Sequence, residues 1–120
     1  MGVDISGWIE VKRSYPSHEG EWLGVIKIDP FIFNFRNREF RASLYSIGTE
    51  GLPADASSEV KTDWNPDMDA YPCFFNWEDA WKIDTEYAPN DWWILFEMVE
   101  ALGKLGDDYY KLSFRFVYWV

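Results

Sequence analysis

Tyr109-Tyr110-Lys111-Leu112-Ser113-Phe114-Arg115-Phe116-Val117-Tyr118-Trp119-Val120 decides the fold class. Leu112, Phe114, Phe116, Tyr118 and Val120 alternate with Lys111, Ser113, Arg115, Val117 and Trp119. A period of two marks a β-strand with one apolar face and one mixed face. Aromatic and β-branched residues suit such a pleated, half-buried surface. The apolar run reaches the last residue without a polar tail, which predicts a place in the interior of a sheet.

Working outward, Asp4 to Lys12 has the same period, with Ile5, Gly7, Ile9 and Val11 opposite Ser6, Trp8, Glu10 and Lys12. Residues 13–20 carry Pro16 and Gly20, the chemistry of a turn. Glu21 to Asp29 reads as a second strand, giving an antiparallel hairpin. The first and last strands are expected to be neighbours. Phe31 to Phe35 follows Pro30 and reads as an extended or irregular apolar segment. Phe40, Leu44 and Ile47 share one helical face over residues 38–47, with Asn37 as N-cap and Gly48 at the C′ position. Residues 49–72 are broken by Pro53, Pro66 and Pro72, with Ser57 placed to cap one short turn through Thr62. Residues 73–75 suggest a short strand. Asn76-Trp77-Glu78-Asp79 opens a short helix to Ile83. Pro89-Asn90-Asp91 starts the strongest helix, whose stripe is Trp92, Leu95, Phe96, Val99 and Leu102. The expectation is a single α+β domain over residues 1–120: a mostly antiparallel sheet with two to three helices packed on it.

Charge narrows the function classes. Eleven Lys and Arg face twenty-one Asp and Glu, a net charge of −10. Residues 1–41 hold six of each sign, whereas residues 50–91 hold eleven acids and two bases. The excess therefore sits in the middle third. No basic stripe exists to hold phosphates, which excludes direct nucleic-acid binding. A single Cys73 and a single His18 leave no disulfide framework, no thiolate metal cluster and no catalytic triad beyond these lone residues. No glycine-rich phosphate loop is present. No cofactor is expected, and catalysis is not the favoured role. The N-terminus lacks the signature of a signal peptide, and no apolar run approaches a membrane span. The expected place is the cytoplasm of a bacterial host cell.

What remains is acid interleaved with rings. Glu50, Asp55, Glu59, Asp63, Asp67, Asp69, Glu78, Asp79, Asp84 and Glu86 run among Trp64, Trp77 and Trp81. Spaced carboxylates can stand in for phosphates and pair with Arg and Lys. Neighbouring rings supply anchoring burial. The expected partner is a basic, nucleic-acid-binding protein whose cationic surface the chain occupies as an inhibitor. One alternative is a divalent-metal-dependent hydrolase using Asp4, Asp67 and Asp69; another is a small-ligand binder, such as a nucleotide-binding protein.

Several short stretches resemble a family of uncharacterised bacterial and phage proteins. Met1-Gly2-Val3-Asp4-Ile5-Ser6 is similar to its opening M-G-x-D-I-H. Arg36-Asn37-Arg38-Glu39-Phe40 stands where the family has R-N-Y and a helix. Gly51-Leu52-Pro53-Ala54-Asp55-Ala56-Ser57-Ser58-Glu59-Val60 is similar to its G-L-P-x-D-x-S-x-E-V. The resemblance implies a phage or mobile-element origin and brings no settled activity with it; an inhibitor of a host defence system such as an anti-CRISPR, or an immunity protein, is the expectation from small size and acidic charge. The family's histidines are replaced here by Ser6 and by Ala70-Tyr71-Pro72-Cys73, so it implies no imidazole metal site.

Overall fold

The computed structural model describes residues 5–32, 38–67, 70–83, 86, 88, 90–106 and 110–119. Asn37, the expected helix cap, lies outside them. Five strands form one sheet: β1 (Ser6–Ser14), β2 (Glu19–Lys27), β3 (Thr49–Glu50), β4 (Pro72–Asn76) and β5 (Lys111–Trp119). Their order is β2-β1-β5-β4-β3, and every pairing is antiparallel. The terminal strand is thus the central one. It pairs with β1 without interruption from Ser6↔Trp119 to Ser14↔Lys111.

Around the sheet lie α1 (Asp29–Ile32), α2 (Arg38–Ile47), α3 (Ser58–Asp63), a 3-10 helix (Trp77–Lys82) and α4 (Asn90–Gly103). This is the α+β architecture that the periodicities predict, with more short helices. Two local readings change. Asp29 and Pro30 open a single helical turn that takes in Phe31 and Ile32 of the expected extended or irregular segment, since proline is tolerated in a first turn; its residues 33–35 lie outside the described residues. Asn76 precedes the 3-10 helix without a side-chain capping bond.

Period two in β5 separates two cores. Phe116 and Tyr118 join Ile9, Phe75, Phe40, Leu44 and the α4 residues Trp92, Leu95 and Val99 on one face. Val117 and Trp119 join Ala56 and Val60 on the other, with Trp8 and Phe74 packed against them. Both faces of β5 are therefore covered, which is why five consecutive residues, Arg115–Trp119, are buried. On the first face the rings interlock: Phe75 stacks on Phe116 at 5.0 Å, and Phe40 meets Trp92 edge-on at 5.5 Å. Tyr118 donates its hydroxyl to the Leu44 carbonyl at 2.6 Å, joining β5 to α2. Gly48 ends α2 without a positive φ. A Cβ there would lie 2.3 Å from the Tyr118 hydroxyl, so the glycine makes room for that bond.

On the second face the mixed side of β5 becomes a buried ion pair. Glu10 and Arg115 are register partners across β1 and β5. Arg115 Nε donates to Glu10 Oε1 at 2.6 Å, and the Glu10 side chain is fully buried. The second carboxylate oxygen accepts from the Ser57 backbone N–H at 2.6 Å. Arg115 Nη1 reaches Asp55 Oδ1 at 2.7 Å, and its guanidinium lies 4.0 Å from the centroid of the Trp22 ring. No described buried side-chain polar atom lacks a hydrogen-bond partner.

Removing one member of a buried pair leaves the other charge stranded, at about 3–5 kcal/mol. Arg115→Met strands the Glu10 carboxylate and is expected to lower unfolding free energy by that amount. Glu10→Gln keeps an acceptor for Ser57 and leaves Arg115 with Asp55, so about 1–2 kcal/mol is expected. Urea unfolding of both variants checks the order; a larger loss in Glu10→Gln contradicts the assignment.

Candidate functional site

Two groups of carboxylates, one in the acidic middle third and one reaching from it onto α4, have different surroundings. The first lies on α3 and the loop before it. Ser57 caps α3, its Oγ accepting from the Val60 N–H at 3.3 Å. Asp55 stands in the turn before this cap, and Glu59 and Asp63, four apart, share one side of α3. That side faces the sheet. Asp55 accepts from Arg115 and, at 3.1 Å, from Trp22 Nε1. Glu59 Oε1 accepts from the Gly24 backbone N–H at 2.9 Å. Asp63 accepts from Trp8 Nε1 at 2.7 Å and is ion-paired with Lys27. Gly24 permits this approach, because a Cβ there would sit 2.8 Å from Glu59 Cβ.

Their titration follows from these contacts. The Arg115 hydrogen bond holds Asp55 below its ordinary value of 3.8. The Ser58 hydroxyl, then the Gly24 N–H, hold Glu59 below 4.5. The Lys27 ammonium, then the Trp8 indole, hold Asp63 below 3.8. The stretch Gly51–Val60 is thus a structural clamp in this fold: Asp55, Ser57 and Glu59 bond the sheet region, and Val60 is buried.

The second group surrounds the 3-10 helix and α4. Phe96 is the hub. Trp81 meets it edge-on at 4.7 Å and Trp93 at 6.0 Å. Trp81 is 70% exposed and Trp93 45% exposed, so both rings offer area to solvent. Glu78, Asp91, Glu97 and Glu100 are exposed on the same two elements. Glu100 also accepts from Trp77 Nε1 at 3.0 Å, which ties α4 to the 3-10 helix. Asp79 is paired with Lys82 at 2.8 Å. A cleft of about 470 Å³ opens beside them, bordered by Glu78, Trp81, Glu100 and Lys12.

The other expected positions are spread more widely. Glu50 is exposed on the short edge strand β3, and Asp67 and Glu86 are exposed in turns. Trp77 is buried, and Trp64 is half-buried with its Nε1 donating to the Ala70 carbonyl at 3.3 Å. Of the three expected tryptophans, Trp81 is the one whose ring stands out. Asp69, Asp84 and Asp4 lie outside the described residues. Among the described residues, no group of three or more His, Cys, Asp or Glu side chains is arranged to hold a metal ion. Cys73 is buried, and burial raises its thiol pKa, the reverse of an activated nucleophile. No helix among the described residues is long and apolar enough to cross a membrane.

Ile94 and Met98 are surface residues that the sequence reading does not single out. The signal was present: α4 has apolar residues outside its buried stripe. Compared with known proteins, the chain matches no family model, no curated protein and no solved structure.

A carboxyl whose folded pKa is depressed contributes fully above its unfolded value and loses that contribution as pH falls through the folded one. Asp55, Glu59 and Asp63 are all of this kind. Thermal stability is therefore expected to decline below about pH 4, with Asp63→Asn less stable near neutrality and flatter across the acid range. Melting curves from pH 7 to about pH 2.5 check this; parallel profiles for the two proteins contradict it.

Proposed function

We propose that this chain is a small acidic protein-binding module that occupies the cationic, nucleic-acid-binding surface of a partner and so inhibits it. The observation that carries this reading is the face built by the 3-10 helix and α4, where exposed Trp81 and Trp93 flank Phe96 among Glu78, Asp91, Glu97 and Glu100. No Lys or Arg occurs from Asn90 to Gly103. Exposed tryptophans among an excess of carboxylates, with Lys82 paired to Asp79 and Lys12 at the edge of the cleft, suit a partner-specific surface: the rings bury area, and the carboxylates steer and select.

The internal pairing of Asp55, Glu59 and Asp63 supports placing the contact here. Those three carboxylates already have donors, so they have less to offer a basic partner. Glu78, Glu97 and Asp91 rest on a rigid scaffold with their charge outward. The phage-like motifs support an origin in which such an inhibitor acts against a host nuclease or other defence protein.

Retention of a basic nucleic-acid-binding protein from bacterial lysate is expected at low salt and is lost at high salt. The eluted partner is then assayed for binding to its nucleic acid, which the chain is expected to displace. Glu78→Lys/Glu97→Lys and, separately, Trp81→Ala/Trp93→Ala are expected to weaken that competition about tenfold or more, with folding unchanged by circular dichroism. Undiminished competition by both variants contradicts the assignment of this face.

A further inference from the structure

The inner side of α4 is settled: Trp92, Leu95, Phe96 and Val99 are buried against the sheet. The outer side is apolar as well. Ile94 is 52% exposed and Met98 40% exposed, and Ala101 is exposed beyond them. Leu105, just past the helix end, is exposed too. Ile94, Met98, Ala101 and Leu105 are spaced four, three and four apart, the stagger of a seam into which another helix packs its side chains. An apolar helix face is ordinarily a covered one. Here one side is covered, and the other stands exposed among the described residues.

Charge identifies what covers it. Asp91, Glu97 and Glu100 are the charged residues of α4, and all are acidic. A second copy of α4 would bring these carboxylates against their own kind. A helix with Lys and Arg beside its apolar stripe would pair with them instead. We infer that the outer face of α4 is a helix-docking surface, and that its occupant is a basic amphipathic helix of the partner. This rests on the reading of the chain as an acidic protein-binding module and names the element it recognises.

The probe is a synthetic amphipathic peptide of about 18 residues, long enough to fold as a helix on the surface, with Leu along the seam and Lys beside it. Its controls are a Lys→Glu counterpart and a scrambled peptide of the same composition. Binding is followed by calorimetry, and the contact is mapped by amide chemical-shift changes. The expected result is binding of the basic amphipathic peptide alone, with shifts centred on Ile94, Met98 and Ala101. Ile94→Asp/Met98→Asp, at two exposed positions, is expected to weaken it about tenfold or more. Thr62→Asp, exposed on α3 across the sheet from α4, is expected to leave binding unchanged.

Equal binding of both basic peptides, unaffected by Ile94→Asp/Met98→Asp, overturns the helix-docking inference and leaves the acidic-module reading standing. Equal binding of the acidic counterpart overturns the charge of the occupant. Self-association that Ile94→Asp/Met98→Asp abolishes assigns the seam to a second copy and overturns the inference. Absence of binding by every peptide overturns the inference, and the competition assay then decides the wider reading separately.

Discussion

The pairing of Glu10 with Arg115 is the constraint on which the rest of the second face depends. These residues are far apart in the chain and directly opposite across β1 and β5. Two buried charges are costly unless geometry and extra hydrogen bonds satisfy them. Here the remaining Glu10 oxygen takes the Ser57 N–H, and the remaining guanidinium nitrogens take Asp55. The pair thus does more than join two strands. It fixes where the irregular middle of the chain comes down on the sheet, because Ser57 is also the cap of α3. From that point Glu59 and Asp63 fall in register over Gly24 and Lys27.

This clamp redistributes charge that composition alone assigns to the surface. Asp55, Glu59 and Asp63 belong to the most acidic third of the sequence, yet their carboxylates bond to the sheet's own donors. The consequence is a molecule with an internally compensated side and an uncompensated one. On the uncompensated side, Glu78, Asp91, Glu97 and Glu100 stand around rings anchored by Phe96.

The aromatic content follows the same division. Phe40, Phe75, Trp92, Phe116 and Tyr118 form an interlocked core on one face of the sheet. Rings of this size close a core with few residues. That leaves Trp81 and Trp93 outside, propped against Phe96 from α4 and the 3-10 helix. Ile94 and Met98 extend the apolar surface along the outer side of the helix. A short domain that spends so much hydrophobic area outward has a surface suited to another macromolecule.

Local pattern in the sequence was enough for the longer elements, though not for β3 or α1. Period two marked β1, β2 and β5, the 3.6 period marked α2 and α4, and Ser57 marked the cap of α3, because each depends on neighbours within a few residues. The alternation in the last strand even placed it inside the sheet. Tertiary structure alone decided which way each charged side chain turns. Nothing near Arg115 in sequence says that it meets Glu10, and nothing near Asp63 says that it meets Lys27 and Trp8. Gly48 looked like a helix stop and is also the space that Tyr118 needs. Such assignments depend on what the folded chain brings opposite each residue, and a one-dimensional pattern of charge and hydrophobicity carries no direction until the strands and helices have packed.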